Sequence, residues 1–138
     1  MRGIDRLYRL PLSEFTAARN VLAKELRDGG DREEAERVRR LAKPSIGAWL
    51  VNRLFFEHRK RFDALLGAAD AQRRSLRRSG AMSPEAGARQ REAMRDLLEA
   101  ARGEAEAAGS SWTPALRQRV TRTLEAVAAA PPDAPDRP

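Results

Sequence analysis

At 138 residues the chain is long enough for one hydrophobic core and too short for two, so a single domain is expected. It contains no cysteine, which excludes disulfides, thiolate nucleophiles and cysteine-ligated metals. No apolar run reaches the roughly 18 residues that a membrane span needs, and residues 1–12 lack the apolar core of a signal peptide, so we expect a soluble, cytoplasmic protein with no membrane partner.

The net charge of +7 comes from 24 Arg and 3 Lys residues set against the acids, and the positive excess lies in the first half of the chain. Residues 1–61 carry 15 basic and 9 acidic side chains, whereas residues 81–108 carry 4 basic and 6 acidic ones. A GC-rich genome also produces an Arg-rich, Lys-poor composition. The position of the charge is therefore more informative than its amount.

Apolar residues recur at spacings of three and four and never alternate over a useful length, which predicts an all-α bundle of about six helices. The first helix is predicted at about 13–28, with Ser13 as its N-cap and two glycines at its end. A capping-box pattern at Asp31 and Glu34 begins the second helix, which continues to about residue 42. These two helices are predicted to form a helical hairpin.

The segment 43–45 (Lys-Pro-Ser) interrupts that hairpin, and Ser45 can cap a third helix at about 45–57. This helix is apolar nearly all round and is therefore predicted to be central. A fourth helix runs to about residue 78, and the sequence does not decide whether it is continuous with the third.

Two strong start signals, Ser83-Pro84 and Thr113-Pro114, predict a fifth helix to about residue 108 and a sixth ending near residue 130. The domain is accordingly predicted at 1–130. Within it, 13–61 forms a basic helical unit, and 62–130 forms an elongated helical hairpin plus the last helix. The Pro-rich residues 131–138 cannot continue a helix and are predicted to be a tail or linker.

Several segments of the chain resemble a family of bacterial helical proteins of the GC-rich, actinobacterial type. They are Leu10–Asn20, the Gly30-Asp31 turn, Lys43–Ser45 with Ala48-Trp49 and Val51-Asn52, and Arg119–Leu124. The resemblance spans most of the chain and implies a helical fold. Because no activity is known for that family, the resemblance implies no function.

The segment 43–45 has two interpretations that the sequence leaves open. It is either a plain helix cap or an anion site formed by Lys43, the free N–H groups and the helix dipole. Trp49 lies at helical spacing with apolar residues, which favours a place in the core over stacking on a base. Arg19 and Asn52 lie in otherwise apolar helices, which favours structural pairing over a functional pocket.

Catalysis has little support in the residue inventory. His58, the only histidine, lies in a basic run without a carboxylate spaced to orient it as a base, so it is predicted to be a surface residue. Glu33, Glu34 and Glu36 lack the Glu-x-x-His partner of helical di-metal sites, and no glycine-rich phosphate loop is present. We therefore expect no enzyme activity, no metal and no cofactor.

The leading hypothesis for function is non-sequence-specific nucleic-acid binding through Arg-rich clusters that contact the phosphate backbone. Arg73/Arg77 and Arg74/Arg78 are spaced i, i+4, so four guanidiniums crowd one turn, as for an anionic partner; a plain solvated face is the other interpretation. The alternative function is a helical protein-interaction module, or a homo-oligomer that associates through the fourth and fifth helices, without nucleic acid. The predicted phosphate-contacting residues are Arg37, Arg40, Lys43, Arg59, Lys60, Arg61, Arg73, Arg74, Arg77 and Arg78.

Overall fold

A computed structural model describes residues 3–130, and all regular structure in that part of the chain is helical. The helices are α1 (Gly3–Arg9), α2 (Phe15–Asp28), α3 (Arg32–Arg39), α4 (Ile46–Glu57), α5 (Arg59–Ser79), α6 (Pro84–Ala107) and α7 (Pro114–Ala129), with a 3-10 turn at Leu12–Glu14. The predicted all-α fold is confirmed, and α1 is the helix that the sequence did not indicate. The predicted tail at 131–138 lies outside the described residues.

Side-chain caps determine where most of the helices begin. Each capping oxygen accepts a hydrogen bond from the N–H group three residues on: Asp31 from Glu34, Ser45 from Ala48, Ser83 from Ala86, and Thr113 from Leu116. The predicted cap at Ser13 is wrong. Pro11 begins a 3-10 turn that contains Ser13, and this turn leads directly into α2, which has no side-chain cap.

The third and fourth predicted helices are separate. Between α4 and α5 the backbone of His58 leaves the helical region, with φ −128° and ψ 45°. At its other end α5 stops at Gly80, whose φ of 69° is left-handed and favours glycine. Gln72 is buried beside this turn, and its Oε1 accepts a hydrogen bond from the N–H of Ser83 at 2.7 Å. A partly buried polar contact therefore closes the α5–α6 hairpin.

The apolar side chains form two clusters. The main core is built from α4, α5, α6 and α7, with Leu54, Phe62 and Leu97 fully buried within it. A smaller cluster under α1, α2 and α3 contains Phe15 and Val38. The sequence placed α4 in the basic unit at 13–61, but in the structure it packs mainly with α5, α6 and α7. A helix that is apolar nearly all round must be covered on several sides, and these three helices cover it.

Polar contacts join α1 to the main core through α4. The indole Nε1 of Trp49 donates to the carbonyl of Leu10 at 2.8 Å, and Arg53 donates to the carbonyl of Arg9 at 3.0 Å. Arg53 also donates to Glu104 of α6 at 3.1 Å. His58, predicted at the surface, is half-buried, because the break between α4 and α5 brings its Nε2 within 3.9 Å of Glu104.

Candidate nucleic-acid interface

The predicted phosphate-contacting residues lie in three separate places. Arg37, Arg40 and Lys43 are at the end of α3 and in the loop that follows, whereas the others lie on α5. The α5 residues occupy its first turn, at 59–61, and its last two turns, at 73–78. At 1.5 Å per residue, these two groups are at opposite ends of a helix about 30 Å long.

Four of the predicted residues form ion pairs with acids of the chain. The pairs are Arg37 with Glu34, Arg40 with Glu36, Arg59 with Asp63, and Arg73 with Asp70. Arg73 also donates to the carbonyl of Ala128 at 2.7 Å, which ties α5 to α7. A hydrogen bond from Arg39, aided by the charges of Arg39 and Arg40, lowers the pKa of the Glu36 carboxyl. Exposed pairs are weak, but they reduce the positive charge that a phosphate would meet.

The other six predicted residues, Lys43, Lys60, Arg61, Arg74, Arg77 and Arg78, form no ion pair within residues 3–130. Arg74, Arg77 and Arg78 lie exposed at the end of α5, where the helix dipole also favours cations. Arg74 lines a groove between α5 and α6 together with Arg89, which the sequence analysis did not select. We call Arg74, Arg77, Arg78 and Arg89 the basic tip.

The groove beside the basic tip has a volume of about 420 Å³ and a floor of small residues: Ala64, Gly67, Ala68, Ala71 and Ala93. Its charges are segregated along its length. Arg74 and Arg89 line one end of the groove, and Glu92 and Asp96 line the part of the groove further along α6. At the helical rise, Asp96 lies about 10 Å beyond Arg89. None of these four side chains forms an ion pair within the described part of the chain.

A second cleft lies between α6 and α7, where the sequence indicated no site. It has a volume of about 290 Å³. Its lining residues are Arg95, Leu98, Glu99 and Arg102 of α6, Trp112 of the loop between α6 and α7, and Arg117 of α7. Arg102 pairs with Glu99 and Glu106, whereas Arg95 and Arg117 form no ion pair with residues 3–130. The spacing of Arg91, Arg95 and Arg102 along one helical face was the available signal, but the net negative charge of the segment concealed it.

The segment 43–45, Arg19 and Trp49 have structural explanations. Ser45 caps α4, which accounts for that segment. Arg19 donates to the carbonyl of Leu41 at 2.9 Å and to the side chain of Asn20. Trp49 is 4% exposed, which confirms its predicted place in the core. Asn52 is half-buried and has no side-chain hydrogen bond within residues 3–130, so the predicted pairing is wrong for this residue.

No protein-family model, curated protein or solved structure matches this chain. Within residues 3–130 there is no cluster of three or more side chains that could hold a metal ion. In the same residues no helix is both long enough and apolar enough to cross a membrane. The basic tip and the cleft around Trp112 make up the candidate interface.

Proposed function

We propose that this protein binds nucleic acid by contacts to the phosphate backbone, and that the basic tip is the main contact surface. One observation carries the proposal: four guanidiniums from two helices lie at the same end of the α5–α6 hairpin, and none is paired within residues 3–130. Like charges one turn apart on a helix repel each other. A phosphate relieves this repulsion and offers each guanidinium two hydrogen-bond acceptors.

This mode of binding carries little sequence information, because contacts to phosphates position a protein without reading base edges. It depends strongly on salt, since each neutralised phosphate releases counterions. Binding to random-sequence duplexes at low salt is therefore the expected behaviour.

Replacing both Arg77 and Arg78 by glutamine is expected to weaken binding to all duplex sequences alike and to reduce the log–log salt slope by about 2. Both side chains are exposed and form no ion pair within residues 3–130, so their removal leaves no buried partner unsatisfied. The measurement is fluorescence anisotropy of a labelled random duplex across a salt series, with circular dichroism to check helicity.

The matched control is the double substitution of Arg37 and Arg40 by glutamine. Both of these arginines are already paired with acids, so their loss should change the slope less. Absence of wild-type binding at ~50 mM salt, where electrostatic association is strong, would contradict the proposal. An unchanged slope in the Arg77/Arg78 variant would contradict the assignment to the basic tip.

The segregated charges of the α5–α6 groove favour a second candidate function, self-association of this chain. Two copies packed antiparallel would place Arg74 and Arg89 of each opposite the acidic end of the other groove. Gly67 lies exposed in the middle of α5, and a Cβ added there would meet nothing within 4 Å. Since glycine destabilises a helix interior, close approach of a second copy would explain its presence.

Charge reversal at either end of the groove tests this candidate. A variant with Arg74→Glu and Arg89→Glu, and another with Glu92→Arg and Asp96→Arg, should each be monomeric in sedimentation velocity. An equimolar mixture of the two should form a heterodimer, because one groove is then wholly acidic and the other wholly basic. A monomeric wild-type protein at several hundred micromolar, or a mixture without heterodimer, would rule out this interface.

A further inference from the structure

The cleft around Trp112 combines an aromatic ring with arginines from two helices. Arg95 and Arg102 come from one face of α6, and Arg117 comes from the first turns of α7. Trp112 is half-buried, packs partly against the main core and lines the cleft. The ring is thus held in place by the fold while part of it stays accessible.

Trp112 differs from the other large aromatic side chains near arginines. Guanidiniums lie over the rings of Phe56, Trp49 and Phe55, at 4.8, 5.6 and 4.1 Å from the ring centroids. Within residues 3–130 no guanidinium lies over Trp112, although three arginines line the same cleft. The cleft therefore offers a ring that is not covered by a cation. Because Arg102 is paired with two acids of α6, the positive charge beside the ring is that of Arg95 and Arg117.

A neutral flat ring with negatively charged groups on either side of it matches these features. A nucleobase stacks on an indole, and the phosphates on either side of it are bound by guanidiniums. A volume of about 290 Å³ accommodates one base, not a duplex. In a duplex, moreover, the faces of the bases are covered by their neighbours and cannot stack on the protein.

We infer that the Trp112 cleft binds one base of a single-stranded nucleic acid, stacked on Trp112, with the flanking phosphates on Arg95 and Arg117. This inference rests on the proposed function for the class of ligand, but it uses a different part of the surface. Arg91 lies one turn before Arg95 on the same face of α6, towards the basic tip. Because only a single strand exposes a base face to Trp112, the protein is expected to prefer single strands to duplexes.

A pair of substitutions at Trp112 separates stacking from packing. Trp112→Phe keeps an aromatic face, whereas Trp112→Leu keeps only the apolar contact with the core. With a labelled oligothymidine, Trp112→Leu is expected to weaken binding about 5-fold to 100-fold, and Trp112→Phe much less. Duplex binding should stay unchanged in both variants. Thermal unfolding of each variant checks that the fold is retained.

The two arginines provide an independent test. Arg95→Gln and Arg117→Gln should each weaken oligothymidine binding. Each should also reduce the log–log salt slope by the amount that corresponds to about one phosphate contact. The matched control is Arg122→Gln, an exposed arginine on another face of α7 that forms no ion pair within residues 3–130. An equal effect of all three substitutions would show that only net charge matters and would overturn the inference.

The outcomes distinguish this inference from the proposed function. If neither single strands nor duplexes bind at low salt, the proposed function fails, and the inference fails with it. If both bind but Trp112→Leu binds oligothymidine like the wild type, the inference alone fails. A preference for single strands that disappears in Trp112→Leu and persists in Trp112→Phe supports it.

Discussion

Replacing Trp49 by alanine is expected to lower the free energy of unfolding by about 3–5 kcal/mol, as for other large-to-small changes in a core. The side chain is 4% exposed, so the substitution leaves a cavity between α4 and the rest of the main core. It also removes the hydrogen bond from the indole Nε1 to the carbonyl of Leu10. Since this bond connects α4 with the segment after α1, both packing and attachment of α1 are weakened.

Urea denaturation followed by circular dichroism measures this effect. Trp49→Phe is the informative comparison, because it keeps an aromatic ring and most of the apolar volume but loses the hydrogen bond, at a cost of about 1–3 kcal/mol. Val21→Ala, at an exposed position, should change stability by less than about 0.5 kcal/mol. A loss below about 1 kcal/mol for Trp49→Ala would contradict the core position and reopen a stacking role for this ring.

Local signals predicted most of the fold. Asp31, Ser45, Ser83 and Thr113 are caps in the structure because the pattern that marks an N-terminus involves only the next few residues. The all-α class follows from apolar spacing in the same way. These features do not require knowledge of which helices contact each other.

The features that were missed depend on tertiary contacts. α1 has only seven residues, too few to be stable alone, and it is held by burial of Leu7 and by contacts with α4. The acids that neutralise Arg59 and Arg73 lie three or four residues away, but their pairing depends on side-chain conformations that spacing alone leaves open. Spacing alone therefore did not show that Arg59 and Arg73 are paired within the chain.

The cleft around Trp112 could not be predicted for a related reason. The summed charge of residues 81–108 is negative. In the structure Arg95 and Arg102 line one cleft of α6 together with Glu99, while Glu92 and Asp96 line another groove together with Arg89, so the summed charge describes neither surface. Trp112 and Arg117 join the cleft only because α7 folds back against α6.

Phe15→Ala is expected to cost about 3–5 kcal/mol and to act first on the smaller cluster of α1, α2 and α3. Phe15 is 1% exposed, and its ring centroid lies 5.4 Å from that of Tyr8. Leu7 and Val38 are the other large side chains that are buried in this cluster, so few buried neighbours can move to fill the cavity.

Hydrogen exchange shows where the stability is lost. In Phe15→Ala the amides of α2 and α3 should lose protection while those of α5 and α6 keep most of theirs, since the latter belong to the main core. Phe62→Ala, in the main core, is the matched control and should lower protection in both clusters. Equal loss of protection in all helices of Phe15→Ala would show instead that residues 3–130 unfold as one cooperative unit.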